Sequence, residues 1–136
     1  MKIYFAHSFE LRGTQEERLF IIQLKQKFPS AKIINPFEKE TELEAKYDGE
    51  YYQNPNFNFA KDIIESDLDL LDSCDIICAL IPEGNYRIIG TSMEIMYAWV
   101  KRKYVIVICE DKKRPRHPWL WYCANEFYSN REEFFQ

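Results

Sequence analysis

The chain sorts into short, wholly apolar runs separated by stretches with helical periodicity. KIYFA (residues 2–6) reads as a short buried strand. Residues 14–28, TQEERLFIIQLKQKF, then place Leu19, Ile22, Leu24 and Phe28 at helical spacing, with Phe20 and Ile21 broadening the apolar face. Thr14 and Glu17 fit a capping box for that helix, and Pro29 ends it. AKIINPF is a second short strand, closed by Pro36. Further on, DIIESDLDLLDSC (62–74) predicts a helix and DIICALI (75–81) a strand. A helix follows over about 92–102, then the strand YVIVIC (104–109). The aromatic stretch from Pro115 to Gln136 predicts a helix and a last edge strand. Residues 37–59 break the rhythm. They are polar, rich in Asn and Tyr, and hold no sustained apolar period, although EKETELEAK can form a short helix. So long a connection in a compact domain is usually functional or mobile.

Strands and helices alternate, and the strands are continuously apolar instead of alternating with polar residues. That pattern predicts an α/β domain whose central parallel sheet, of about five strands, is covered on both faces. There are no internal repeats and no linker, so residues 1–136 form a single domain. In such sheets ligands bind outside the carboxyl ends of the strands. The segments in that position are HSFELRG, residues 35–59, PEGNYRIIGTS and EDKKRPRHPW.

Composition narrows the function classes. A hydrophobic content of 46% with 16% aromatics describes a globular chain, and a net charge of −4 lacks the concentrated basic face that nucleic acid requires. The one basic cluster, KKRPRH at 112–117, is short, contains a proline and reads as a solvated loop. No apolar run approaches the roughly 20 residues that span a bilayer. Cys74, Cys78, Cys109 and Cys123 show no C-x-x-C pairing, so free thiols in a reducing cytoplasm are expected, with no metal site.

Two carboxylates stand in unexpected surroundings. On the 62–74 helix, Ile63, Ile64, Leu68, Leu70, Leu71 and Cys74 form one stripe, and Asp67 falls near its middle. Asp62, Glu65, Asp69 and Asp72 fall on the opposite face. A carboxylate turned toward a core is costly unless it is paired, protonated or lining a cavity. Backbone N–H groups or an arginine satisfying Asp67 are the plain alternative. Glu94, in IIGTSMEIMYAW (88–99), is the second. Thr91 and Glu94 fit the capping box T-x-x-E. Yet Gly90, Thr91 and Ser92 present N–H groups at a helix N-terminus on the ligand-binding edge, an arrangement suited to an anion such as phosphate. Two acids converging on one site, one of them desolvated, are what glycosidic bond cleavage requires.

The run ESDLDLLDSCDIICALIPEG…GTSMEIMYA, with the opening KIYFA and its polar loop, resembles the nucleoside 2-deoxyribosyltransferase family and its 2′-deoxynucleoside 5′-phosphate N-hydrolase relatives. The resemblance covers roughly the N-terminal four-fifths of the chain, weakly in residues 30–60. It implies a flavodoxin-like or Rossmann-like three-layer α/β sandwich that assembles as a homodimer or higher homo-oligomer and uses no cofactor. Its implied substrate is a small nucleoside or nucleotide. Glu94 matches the catalytic glutamate that attacks C1′, Asp67 the acid/base aspartate, and Tyr4 the tyrosine that positions the glutamate. Ser8, Gly13, Gly90, Thr91 and Ser92 lie where the hydrolases hold the 5′-phosphate, and Asn125 is a counterpart of a residue contributed from a neighbouring subunit. The chain departs from the transferases' D-x-G-T-x-x-E-x-G pattern, with Ile88 at the first position and Met96 at the last. Arg12 and Arg87 favour a phosphorylated substrate if they reach it. A non-catalytic nucleotide-binding or sensing module on the same scaffold is the alternative function.

Overall fold

The structure is a computed structural model that describes residues 1–47 and 56–136. Among these residues five parallel strands build one sheet: β1 (Lys2–Ala6), β2 (Lys32–Ile34), β3 (Ile76–Ile81), β4 (Tyr104–Cys109) and β5 (Glu126–Tyr128), in the order β2-β1-β3-β4-β5. This is the flavodoxin-like winding, whose strand order reverses between β1 and β3.

Because side chains alternate along a strand, each strand feeds two cores. Tyr4, Ala6, Ile77, Ala79, Val105 and Val107 face one layer of helices: α3 (Phe57–Asp72), α4 (Ile89–Val100) and α5 (Pro118–Cys123). Ile3, Phe5, Cys78, Leu80, Ile106 and Ile108 face the other, α1 (Gln15–Lys27) and α6 (Arg131–Phe135). Both faces are thus buried, which is why the strands carry no polar alternation. β5 is the edge strand that the aromatic tail predicts. All four cysteine thiols are free and buried. Among the described residues no helix is long and apolar enough to cross a membrane.

Four helices differ from the sequence pattern, in their rotation or in where they begin. In α1 the buried row is Glu17, Phe20 and Leu24, whereas Leu19 and Ile22 are 51% and 50% exposed. Phe20 stacks on Phe5 of β1 at 4.7 Å, and Glu17 reaches the buried His7, so contacts with β1 and the loop after it set the helix's rotation. Thr14 does cap this helix, accepting from the Glu17 N–H at 3.2 Å. The glutamate completes a different bond, accepting from the Gly13 N–H at 3.1 Å.

Much of the polar connection is helical. Pro36 opens α2 (Pro36–Lys46) at a first-turn position where a missing N–H costs nothing, and Asn35 Oδ1 accepts from the Phe37 N–H at 3.1 Å. α3 begins at Phe57, five residues earlier than its apolar period suggests, because Asn56 Oδ1 accepts from the Phe59 N–H at 2.8 Å. The part of the connection between these helices, residues 48–55, lies outside the described residues. Asn35→Ala is expected to cost about 1 kcal/mol. Urea denaturation checks this, and an unchanged midpoint removes the cap from the account.

α4 begins at Ile89, not near 92, and its N-cap residue Ile88 makes no side-chain capping bond. Thr91 is therefore inside the helix and not at its cap, so Glu94 is not the partner in a capping box.

Candidate active site

The carboxyl end of β1 delivers His7, Ser8 and Phe9 to the top of the sheet, and β2 runs directly into Pro36 and Phe37 of α2. With α3 and the first turns of α4 these enclose a cavity of about 540 Å³ at the point where the strand order reverses. Glu40, Asp67 and Glu94 line it, from α2, α3 and α4 respectively, together with Ser8, Gly90 and Thr91. Apolar walls come from Phe9, Phe37, Leu68, Ile89 and Met93, and Arg87 stands at its exposed rim.

Glu94 lies in the second turn of α4, with its carboxyl at the cavity floor. The Tyr4 hydroxyl, fully buried on β1, donates to its Oε2. Burial and the neighbouring Asp67 carboxylate push the Glu94 carboxyl up to about 8, while the bond from Tyr4 works in the opposite direction. Burial, and then the negative charges of Glu94 and Asp67, hold the Tyr4 phenol well above its usual range, so it remains a donor.

Asp67 projects from the stripe of α3 that packs inward, and faces Glu40. Glu40 is 1% exposed. Asp67 Oδ1 and Glu40 Oε2 are buried, and among the described residues no N–H or O–H group donates to them. Burial, then the charge and hydrogen bonding of Glu40, raise the Asp67 carboxyl strongly. Burial also raises Glu40, despite the opposing effect of its bond with Asp67. Two buried carboxyls without other donors are satisfied when they share a proton.

Sequence reasoning missed Glu40, because it fell in a stretch read as polar connection. Once α2 is known to be helical, Glu40 lies three residues after Phe37 on the buried face. The wheel that separates Asp67 from its acidic neighbours then separates Glu40 from Glu38 and Glu42.

The other expected residues divide. Ser8 is buried in the cavity wall, where its Oγ accepts from the Glu10 N–H at 3.3 Å. Gly90 and Thr91 line the cavity at the start of α4. Ser92 does not: its N–H donates to the Ile88 carbonyl at 2.8 Å, and its side chain borders a separate apolar pocket between α4 and α5, beside Ile88 and Met96. Gly13 sits outside the cavity in the loop before α1, with the positive φ of 75° that a glycine adopts readily. Asn125 lies at the opposite, amino-terminal edge of the sheet, where its Oδ1 accepts from the Val105 N–H at 2.8 Å. Arg12 is held by Glu44 at 2.9 Å and covers the Phe9 ring, while Arg87 is 3.4 Å from Glu10. His7 is a supporting residue: Nδ1 donates to the Phe5 carbonyl at 3.0 Å and Nε2 lies 2.6 Å from Glu17 Oε2. Its ring meets that of Phe37 edge-on at 4.7 Å and so steadies the start of α2.

The sequence matches no family model and no curated protein. Solved structures are similar over the whole chain. One is a 2-deoxyribosyltransferase from the psychrotolerant bacterium Bacillus psychrosaccharolyticus, at 15% identity and a TM-score of 0.70, with 91% of that chain covered. Another is the Clostridium botulinum CMP N-glycosidase BcmB, at 15% identity and a TM-score of 0.58, with 96% of that chain covered. The protein therefore has the flavodoxin-like α/β fold of these two enzymes, spanned from end to end.

Proposed function

We propose that the protein cleaves or transfers the N-glycosidic bond of a 2′-deoxynucleoside or its 5′-monophosphate. The observation that carries this reading is the convergence of Glu94, with its Tyr4 donor, and the proton-holding Asp67 on one cavity at the strand switch point. The two similar structures support it, since one is a deoxyribosyltransferase and the other an N-glycosidase acting on a nucleotide.

In the first step the ionised Glu94 carboxylate attacks C1′. The C1′–N bond breaks, its electron pair goes to the base, and Asp67 delivers its proton to the base nitrogen. In the second step water or another base attacks C1′ of the glycosyl ester. Asp67 takes the incoming group's proton, and Glu94 leaves as a carboxylate. Two displacements retain the configuration at C1′. Tyr4 holds the Glu94 oxygen in line and stabilises its charge. Ser8, Gly90 and Thr91 surround the place for the 5′-oxygen or phosphate, where the start of α4 offers N–H groups and Arg87 a positive charge at the rim. No cofactor enters these steps.

The test is chromatography of a deoxynucleoside, and separately its monophosphate, incubated with the protein in the presence and absence of a second free base. Release of base supports the reading, and a new nucleoside in the presence of the second base identifies transfer. Nucleotide binding with no release under any of these conditions favours a sensing module instead.

The protein works in this reading as a cytoplasmic homodimer or higher homo-oligomer. Exposed Met93, Trp99 and Val100 on α4 and Trp119, Trp121 and Tyr122 on α5 are the apolar surface that supports association. Sedimentation of a monomer at all concentrations tested removes that part.

A further inference from the structure

Glu40 has no part in the two-carboxylate scheme above, and its surroundings are unusual. It is 1% exposed on a helix otherwise rich in solvated acids, it lines the cavity, and its Oε2 has no donor among the described residues. The charged and titratable groups that act on it come from every neighbouring element: Asp67 of α3, Glu94 of α4, Tyr4 of β1, and the Arg12–Glu44 pair beside it. Arg12, the basic group that acts on Glu40, is itself hydrogen-bonded to Glu44 at 2.9 Å and makes no hydrogen bond to the Glu40 Oε2. A glutamate whose only task was to fill this space would be replaced by an apolar residue at lower cost.

We propose that Glu40 is a positioning residue of this site, whose carboxyl shares a proton with that of Asp67 and keeps Asp67 loaded as the acid that serves the leaving base. This rests on the N-glycosidic reading above and deepens it. In the resting site a single proton lies between Asp67 and Glu40. When Asp67 gives that proton to the base nitrogen, two carboxylates are left facing each other in a dry site, and their repulsion makes Asp67 a strong base toward the proton of the incoming water or second base. Proton and charge balance over the cycle: one proton leaves with the first base and one arrives with the second nucleophile. The shared proton also removes most of the Asp67 charge from the neighbourhood of Glu94. Glu94 is then free to ionise as the nucleophile.

The test uses Glu40→Gln, with Glu40→Met as a second variant in case the amide disturbs the fold, each checked by its melting curve. In protein labelled with ¹³C at aspartate Cγ, the Asp67 signal is assigned by its loss in Asp67→Asn. It is expected to titrate well above the other aspartates, and to move down in both Glu40 variants. An Asp67 titration unmoved by either variant overturns the shared proton, whether or not the protein is an enzyme.

Kinetics then separate the roles. On an ordinary 2′-deoxynucleoside, Glu40→Gln is expected to lower kcat at least about tenfold, and to shift the alkaline limb of the pH profile to lower pH. On a deoxynucleoside with an N7-methylated purine, whose cationic base departs without a proton, the rate is expected to change little. Equal losses on both substrates overturn the proposal. Absence of base release by the unmutated protein defeats the N-glycosidic reading and with it the role in catalysis, while the titration still decides whether the two carboxyls share a proton.

Discussion

Glu94→Gln is expected to lower base release from the protein's preferred deoxynucleoside or deoxynucleotide by on the order of 10⁴-fold or more. The amide has the size of the carboxyl, and its oxygen still accepts from the Tyr4 hydroxyl, so the cavity floor keeps its shape. What disappears, on the proposed mechanism, is the anionic oxygen that would form the bond to C1′. The melting temperature at neutral pH is expected to be unchanged or higher, because a buried acid has been replaced by a neutral group. Mass spectrometry after an acid quench adds an independent readout: the unmutated protein is expected to gain the mass of the bound sugar, and the variant is not. A variant that retains activity within tenfold of the parent removes Glu94 as nucleophile.

The pH dependence of folding is the second large effect. Burial first, then neighbouring negative charge, raises the carboxyls of Glu40, Asp67 and Glu94 in the folded protein. For Glu94 the window runs from its ordinary 4.5 to about 8. Below it both folded and unfolded chains hold the proton. Within it the folded chain keeps a proton that the unfolded chain gives up, so raising the pH favours unfolding. Above about 8 the folded site loses its proton too, and the contribution is gone. Each such proton tilts stability by roughly 1.4 kcal/mol per pH unit.

Glu17 and Glu110 act in the other direction. Burial pushes both up, but the bonds from His7 and the Gly13 N–H to Glu17, and from Arg131 to Glu110, outweigh it and leave both below the ordinary range. Their contribution is full above the unfolded value and is lost as the pH falls through the folded one. Stability is therefore expected to peak in mildly acidic solution and to decline toward pH ~8. The triple variant Glu40→Gln/Asp67→Asn/Glu94→Gln is expected to flatten that decline and to exceed the parent at the alkaline end. Urea denaturation across the range measures both. A parent stability that is level or rising through neutrality contradicts the raised carboxyls.

The sequence by itself determined the architecture. Continuous apolar strands between amphipathic helices require a sheet buried on both faces, and that requirement is local enough to read residue by residue. It also singled out Asp67, because its place in the stripe of α3 is a property of one helix. Rotation of a helix whose apolar positions run more than one way was not legible. Leu19 and Ile22 of α1 are exposed because Phe5 and His7, brought near by the β1–α1 connection, select the row of Glu17, Phe20 and Leu24 instead.

Only the tertiary structure decided which groups meet at the candidate site. The T-x-x-E pattern around Glu94 has the spacing of a cap. Its carboxyl nevertheless belongs to Tyr4, a residue 90 positions away that the sheet places beneath α4. Glu40 became visible once Asn35 and Pro36 opened a helix in a polar stretch and the packing of Phe37 turned one face inward. Periodicity records which side of an element faces inward. The proton affinity of a carboxyl depends instead on burial and on which charges from other elements lie beside it, and those neighbours exist only in the folded chain.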